Sequence, residues 1–406
     1  MTTPAAAAGP AAAPLGYRHA LRFILLVGGV SLFADMTYEG ARSITGPYLA
    51  VLGASATAVG FVAGFGELVG YAVRLASGYL SDRTGRYWAV TIFGYCVNLL
   101  AVPLLALAGS WEAAAVLIVL ERMGRAIRTP ARDAMLSHAA GHTGLGWGFG
   151  LHEALDQTGA VLGPLALGAV LYFGGDYRTG FAVLLIPALL ALLVLLAARL
   201  IYPRPRDFEL SGPALEGRGL PRSFWLYLAA VALIAAGYAD FPLIAYHFGT
   251  AEVITPAWIP ILYALAMATD AIAALAFGRL YDRIGLATML VATLGSLLAA
   301  PLAFLGGATA AVAGMALWGV GMGAQESIMR AAVARLAPAE RRGTAYGMFN
   351  ALYGAAWFAG SVLLGALYDR SVLALVIVAV LLQAMALPVL WWLMRTTRAV
   401  SEASLS

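Results

Sequence analysis

The sequence contains no lysine; all 25 of its basic residues are arginine. Charge of either sign is scarce, at 11% of the chain against roughly 25% in an ordinary soluble domain. The formal net charge is only +4, and the arginines are scattered between apolar blocks. A pI near 9.2 therefore does not make this a nucleic-acid module. There is one cysteine, Cys96, within an apolar run. A single thiol closes no internal disulfide, and no CxxC or zinc-type cluster exists, so Cys96 reads as packing. No G-x-S-x-G, P-loop or HExxH motif occurs, so neither an enzyme nor a cofactor is expected.

What is present is apolar. Hydrophobic residues make up 62% of the chain before its 46 glycines are added, and the mean hydropathy is +0.84. A soluble chain is ~45–50% apolar with glycine included, so a soluble enzyme and a disordered chain are both excluded. A spanning helix needs ~20 mostly apolar residues. Runs of that kind lie at about 22–42, 56–77, 87–108, 112–136, 147–172, 179–201, 223–248, 256–277, 287–306, 309–335, 344–368 and 372–394. Backbone groups in hydrocarbon must be paired internally, and strand-type alternation is absent, which leaves helices. The reading is an all-α polytopic membrane protein with twelve spans. The runs 112–136 and 309–335 are long and interrupted by polar residues.

Residues 1–18 begin with an uncharged Ala/Pro/Gly stretch and are expected to form a disordered cytoplasmic tail. No basic n-region precedes a small-residue cleavage site, so no cleaved signal peptide is expected. With both termini inside, most arginines fall in inner loops, tails or inner helix ends, while Arg42, Arg178 and Arg370 fall outside. The polar segment 203–221 reads as a cytoplasmic linker between six-span bundles at 19–202 and 222–396, with a second tail at 397–406. The halves repeat: Gly78-Tyr79-Leu80-Ser81-Asp82-Arg83-Thr84-Gly85 recurs as Gly278-Arg279-Leu280-Tyr281-Asp282-Arg283-Ile284-Gly285. Both copies fall between the second and third spans of their half. Such duplication suggests two bundles facing a central cavity.

On these residues the chain resembles the major facilitator superfamily over about 20–396. The family signature G-x-L-x-D-R-x-G-R is met in full by Gly78, Leu80, Asp82, Arg83, Gly85 and Arg86. In the second copy, Gly278, Leu280, Asp282, Arg283 and Gly285 match, and Leu286 replaces the final arginine. Glu121-Arg122-Met123-Gly124 is similar to the buried-arginine motif that the family associates with proton coupling. Gly159, Gly163, Pro164 and Gly168 are similar to its antiporter motif, with fewer glycines than the full pattern. The resemblance implies the twelve-span fold, alternating access and proton-coupled antiport. The two signature copies would form a cytoplasmic gate; read without the family, they are topogenic arginines and tight turns. Independently of the family, glycines spaced by four let helices approach closely in lipid, and Pro164 permits a bend.

Ionisable residues inside a bilayer cost at least ~2.5–3.5 kcal/mol and persist when paired, wetted or useful. Asp35, Glu39 and Arg42 share one face of span one, with Tyr38 beside them. Glu67 is mid-span; Glu121 and Arg122 sit in span four, above Arg125, Arg128 and Arg132. His152, Glu153 and Asp156 lie in span five. Burial favours a protonated carboxylate and a nearby arginine favours an ionised one, so a carboxylate alternating between the two environments can carry a proton. The expected proton-coupling set is Asp35, Glu39, Glu153 and Asp156, with Arg122 as counter-charge; a fixed ion pair is the other reading of Arg122. Expected cavity residues are Tyr38, Glu67, His152, Tyr238, Asp240, Asp270, Gln325, Glu326, Arg330, Asn350, Tyr353 and Trp357. A carboxylate-rich cavity favours cationic or neutral amphipathic cargo, and its aromatics can add cation–π contacts. Two alternatives on the same fold remain: a transition-metal exporter, and an organic-anion carrier using Arg122 and Arg330. A receptor or scaffold is a remoter reading. The expected partners are a small molecule, protons and the lipid bilayer, without nucleic acid. The expected form is a monomer in the cytoplasmic membrane of a bacterium with a GC-rich genome.

Overall fold

The computed structural model describes residues 16–143, 145–203, 220–336 and 342–403. Most of the expected linker and both ends of the chain lie outside the described residues. The described elements are α-helices and one short 3-10 turn. The first half holds α1 (Tyr17–Val51), α2 (Ala56–Thr84), α3 (Tyr87–Leu104), α4 (Trp111–Thr143), α5 (Leu145–Tyr172), α6 (Tyr177–Val183) and α7 (Leu185–Ile201). The second holds α8 (Arg222–Gly237), α9 (Phe241–Thr250), α10 (Trp258–Ile284), α11 (Ala287–Ser296), α12 (Ala299–Leu305), α13 (Ala308–Leu336), α14 (Arg342–Tyr368) and α15 (Val372–Ala403).

Among the described residues, ten helical stretches are long and apolar enough to cross a membrane. Helices α4 and α13 are not among them: arginines and carboxylates interrupt α4, and in α13 an uncharged but glycine-rich stretch gives way to Gln325, Glu326 and Arg330. They nevertheless run the length of the bundle, α4 packed on α2 and α3, and α13 packed on α10. Their polar residues are shielded from lipid by those neighbours, so composition alone under-reads them.

Three of the expected continuous spans are broken: α6 from α7 at Leu184, α8 from α9 at Tyr238–Asp240, and α11 from α12 at Leu297–Leu298. Each break lies about one turn before a proline, namely Pro187, Pro242 and Pro301. A proline removes the bond to the carbonyl four residues earlier and crowds it. Carbonyls freed in lipid need new donors. At the α8–α9 break, Trp318 Nε1 donates to the Ala239 carbonyl at 2.9 Å and Gln383 Nε2 to the Gly237 carbonyl at 3.0 Å. Ser296 Oγ in turn donates to Gln383 Oε1 at 2.9 Å. Trp318→Phe leaves the Ala239 carbonyl buried without a donor, and should cost about 1–3 kcal/mol. A lowered unfolding temperature in detergent, with Trp391→Phe on the exposed side of α15 unchanged, checks this.

The starts of α1 and α3 and the end of α7 share one end of the bundle, where Phe23 meets Trp88 edge-on and Trp88 Nε1 donates to the Tyr202 carbonyl. At the opposite end the two lobes are pressed together. Gly46 of α1 lies against the Pro242 and Tyr246 backbone of α9, and Gly60 and Gly64 of α2 lie against Ser361 and Phe358 of α14. Asp369 accepts from Ala56 N at 3.0 Å, Thr57 N at 2.9 Å and Thr57 Oγ1 at 2.5 Å, capping α2 from the other lobe. At the end that carries the termini, a side chain on Gly278 would meet nothing within 4 Å, and one on Gly78 only Pro130 of its own lobe. The lobes are therefore joined at one end and parted at the other.

A candidate transport cavity between the lobes

The parting leaves a cavity of about 490 Å³, within the size range of small-molecule sites. Its wall runs from Tyr263, Trp318 and Trp357 at the closed end to Arg132, Asp133 and Tyr346 near the termini end. Periodicity explains which residues reach it. Tyr263, Met267 and Asp270 form one stripe of α10, and Trp318, Met322, Gln325 and Glu326 one stripe of α13. Of the residues expected in the coupling set or the cavity, Asp35, Tyr38, Glu39, Glu67, Arg122, Glu153, Asp156, Asp270, Gln325, Glu326, Asn350, Tyr353 and Trp357 line the wall.

Several expectations need correction. Tyr238 is buried and off the wall; its hydroxyl donates to the Trp318 carbonyl and its ring packs on Trp318 and Trp357. His152 is buried between α5 and α1, with Nε2 hydrogen-bonded to Ser31 Oγ at 2.8 Å. Asp240 is also off the wall, 2% exposed, because it belongs to the joint between lobes. Arg42, read from the sequence as an outer residue, is buried there too. Its Nη2 lies 3.0 Å from Asp240 Oδ1 and 3.8 Å from Glu67, and its Nη1 lies 4.0 Å from Glu39. Trp357 Nε1 donates to the other Asp240 oxygen at 3.3 Å. The Arg330 and Asp82 side chains lie outside the described residues.

Arg122 does not face the expected carboxylates. It pairs with Glu67 at 3.0 Å and Glu121 at 3.3 Å, and Glu121 is further held by Asn98 Nδ2 at 2.8 Å. In this conformation Arg122 is therefore held in ion pairs within its own lobe. The counter-charge to the span-one face is Arg125, one turn on. It lies 3.4 Å from Glu39 and over the Tyr38 ring at 4.2 Å, and Tyr38 in turn donates its hydroxyl to Asp35. Glu39 also accepts a 2.5 Å bond from Tyr263 of the other lobe. Arg128 lies 4.2 Å over Tyr95 and donates to its hydroxyl at 2.9 Å, while Arg132 pairs with Asp133 at 2.8 Å. Glu153 accepts from Gln157 at 3.2 Å.

Sequence reasoning missed Tyr263, Trp318 and Asn98. Tyr263 was signalled by its place on the Asp270 stripe; the other two become recognisable only once their partners are placed. The glycine segment acts at two contacts: Gly159 and Gly163 meet the α1 backbone at Leu32 and Met36, and Gly168 meets Ile261 of the other lobe. The signature copies do not bridge the lobes among the described side chains. Arg83 donates to Tyr79 of its own helix at 3.2 Å, and Arg86, Asp282 and Arg283 are exposed. Gly85 and Gly285 end their helices at φ 65° and 61°, a conformation that favours glycine. Among the described residues no three His, Cys, Asp or Glu side chains converge as a metal site.

A family model described as the Major Facilitator Superfamily matches residues 27–361, and in a second match 226–405. An uncharacterized protein of Mycobacterium tuberculosis strain H37Rv is 45% identical over 376 residues, covering 91% of this chain and 92% of its own. An uncharacterized MFS-type transporter of Methanocaldococcus jannaschii is 28% identical over 362 residues, covering 86% of this chain and 89% of its own. Among solved structures, a bacterial homolog of the human lysosomal transporter Spinster, inward-facing and unoccupied, superposes with a TM-score of 0.73. It is 14% identical, with 94% of this chain and 97% of that one covered, so it speaks for the fold alone.

Proposed function

The chain belongs to the major facilitator superfamily of membrane transporters, and from that premise we propose that it is a proton-coupled antiporter that expels a small organic compound, cationic or neutral and amphipathic, across the cytoplasmic membrane. In this reading all twelve helical rods span, both termini are cytoplasmic, and the cavity is open to the cytoplasm, ready to load cargo. The lobes are the units 19–202 and 222–396. The signature copies around Gly78 and Gly278 close the cytoplasmic side when the outer joint parts.

One observation carries the reading. Glu39 is bound by Arg125 in its own lobe and by Tyr263 across the cavity, at 3.4 and 2.5 Å. A proton on Glu39 weakens its attraction for Arg125 and replaces one of its acceptor sites with a donor. The charge of Glu39 is thereby linked to how the lobes hold each other, which is the connection that coupling requires. Asp35, Glu153 and Asp156 lie on the same wall and complete a route for protons. Alternating access then follows from rocking of the lobes around this fixed site.

The test uses the full chain in proteoliposomes, with ethidium as a cationic aromatic probe. An imposed pH gradient should drive ethidium uphill in the wild type. Glu39→Gln should lose that gradient-driven accumulation by about tenfold or more, a change of at least ~1.4 kcal/mol in coupling, while ethidium/ethidium exchange persists. Ethidium movement that ignores the pH gradient in the wild type would sink the antiport reading.

A further inference from the structure

Two carboxylates on the cavity wall, Asp156 and Asp270, have a buried oxygen without a hydrogen-bond partner among the described residues; Arg132 acts on Asp156, and no arginine answers Asp270 in the same way. Glu39, Glu67 and Asp133 each have an arginine, and Asp35 has the Tyr38 hydroxyl. Asp270 is 2% exposed, yet its Oδ1 has no hydrogen-bond partner among the described residues. Among the described residues, the ionisable groups that act on it most are Glu326, Glu153 and Glu39, all acidic. A buried carboxylate without a counter-charge is unfavourable, and its neighbours make this one more so. Gly323 of α13 packs directly on this turn of α10: a side chain there would run into the Asp270 carbonyl oxygen and come within 2.7 Å of Asp270 Oδ1 and 2.8 Å of Ala274 N. The surrounding wall is of another kind. Met267 lies one turn from Asp270 on the same stripe, and Trp318 and Met322 face the cavity from α13. Aromatic faces and thioethers hold apolar bodies and tolerate an adjacent cation.

We propose that Asp270 anchors the positively charged nitrogen of an organic cation, whose apolar body lies against Met267, Trp318 and Met322. The inference rests on the transporter reading above and narrows its cargo from cationic or neutral to cationic. The incoming ammonium supplies the counter-charge and the donor that the protein withholds. An alcohol of the same carbon frame supplies the donor but not the charge, and a carboxylic acid repels the site. Specificity thus lies in a need left unmet within the free protein.

The full-length protein in detergent is titrated calorimetrically with phenylbutylamine, phenylbutanol and phenylbutyrate at one pH. The amine should bind at least about tenfold more tightly than the alcohol, and the acid weakest. Asp270→Asn should reduce the amine to the affinity of the alcohol and leave the alcohol unchanged, while Asp270→Glu keeps the preference. Equal binding of amine and alcohol to the wild type, no saturable amine binding, or a preference that survives Asp270→Asn overturns the proposal. A second measurement needs no substitution. Phenylbutylamine, but not phenylbutanol, should protect Asp270 from carbodiimide labelling, read by peptide mass spectrometry; labelling indifferent to the amine also overturns it. Binding in detergent is independent of movement. Amine binding that needs Asp270, in a protein that gives no ethidium exchange, sinks the transport reading alone. Ethidium exchange that is unchanged in Asp270→Asn, with amine and alcohol bound alike, sinks this proposal alone.

Discussion

Arg42→Met should release the joint that holds the closed ends of the lobes together. Asp240 is 2% exposed, and among the described residues its cation is Arg42 and its other side-chain partner is Trp357 Nε1. Breaking a buried pair from one side costs about 3–5 kcal/mol, because the other charge stays buried. Glu67 and Glu39 are less exposed to the loss, since Arg122 and Arg125 still hold them. The stranded charge can be rehydrated if the lobes part at that end and admit water. The substitution therefore penalises the conformation seen here more than one in which the lobes are parted at this end. At ~1.4 kcal/mol per factor of ten, even 3 kcal/mol moves the balance by about a hundredfold. The lone native thiol makes this measurable: with Cys96→Ala as background, spin labels at Val51→Cys and Ala251→Cys report the gap between lobes at the joined end. The labelled pair should shift to longer distances in Arg42→Met. Asp240→Asn in the same chain removes the stranded charge and should restore most of the short population. A double variant as open as the single one, or a single variant with wild-type distances, would show that the pair is not what holds the joint.

How the sequence revealed the scaffold and concealed this joint has a physical basis. Span positions, the duplicated halves and the loop signature are local patterns, set by hydropathy and by turn chemistry such as the left-handed Gly85 and Gly285. The wall residues were largely legible for the same reason, because a charge on an apolar helix faces something other than lipid. Partnerships are a different kind of quantity. Arg42 and Asp240 are 198 residues apart, and no periodicity relates two helices from different lobes. The choice between Arg122 and Arg125 as counter-charge turned on the depth of α4 in the bundle, a shift of about one helical turn along its axis, which a motif does not specify. The breaks in α6–α7, α8–α9 and α11–α12 were legible in principle, each about a turn before a proline. Pro47, Pro103, Pro130, Pro164 and Pro388 lie inside continuous helices, so proline alone does not mark a break. Tertiary donors such as Trp318 and Gln383 stabilise the α8–α9 break once it forms.

Gly163→Val should be among the most damaging single changes in the protein, although it touches no charge. An added Cβ at Gly163 would lie 2.8 Å from Met36 Cα and 2.9 Å from its carbonyl carbon, both backbone atoms of α1. At Gly159 it would lie 2.9 Å from the Leu32 carbonyl carbon and 3.0 Å from Asp35 Cβ. Side-chain overpacking typically costs 1–3 kcal/mol because neighbours change rotamer; here the obstacle is a helix axis, so about 3 kcal/mol is a lower bound. In lipid the loss is felt fully, since close backbone approach is much of what drives helices together. The same displacement carries Asp35 away from Asp156, one turn before Gly159 on α5, so transport should fail even in any fraction that folds. Gly150→Ala on the same helix has nothing within 4 Å of the new methyl and serves as the control. Poor recovery of monodisperse protein and a lowered unfolding temperature are expected for Gly163→Val, a milder form of both for Gly159→Ala, and neither for the control. Were Gly163→Val to unfold at the control's temperature and exchange ethidium at the control's rate, the α1–α5 contact would have slack that this packing does not allow.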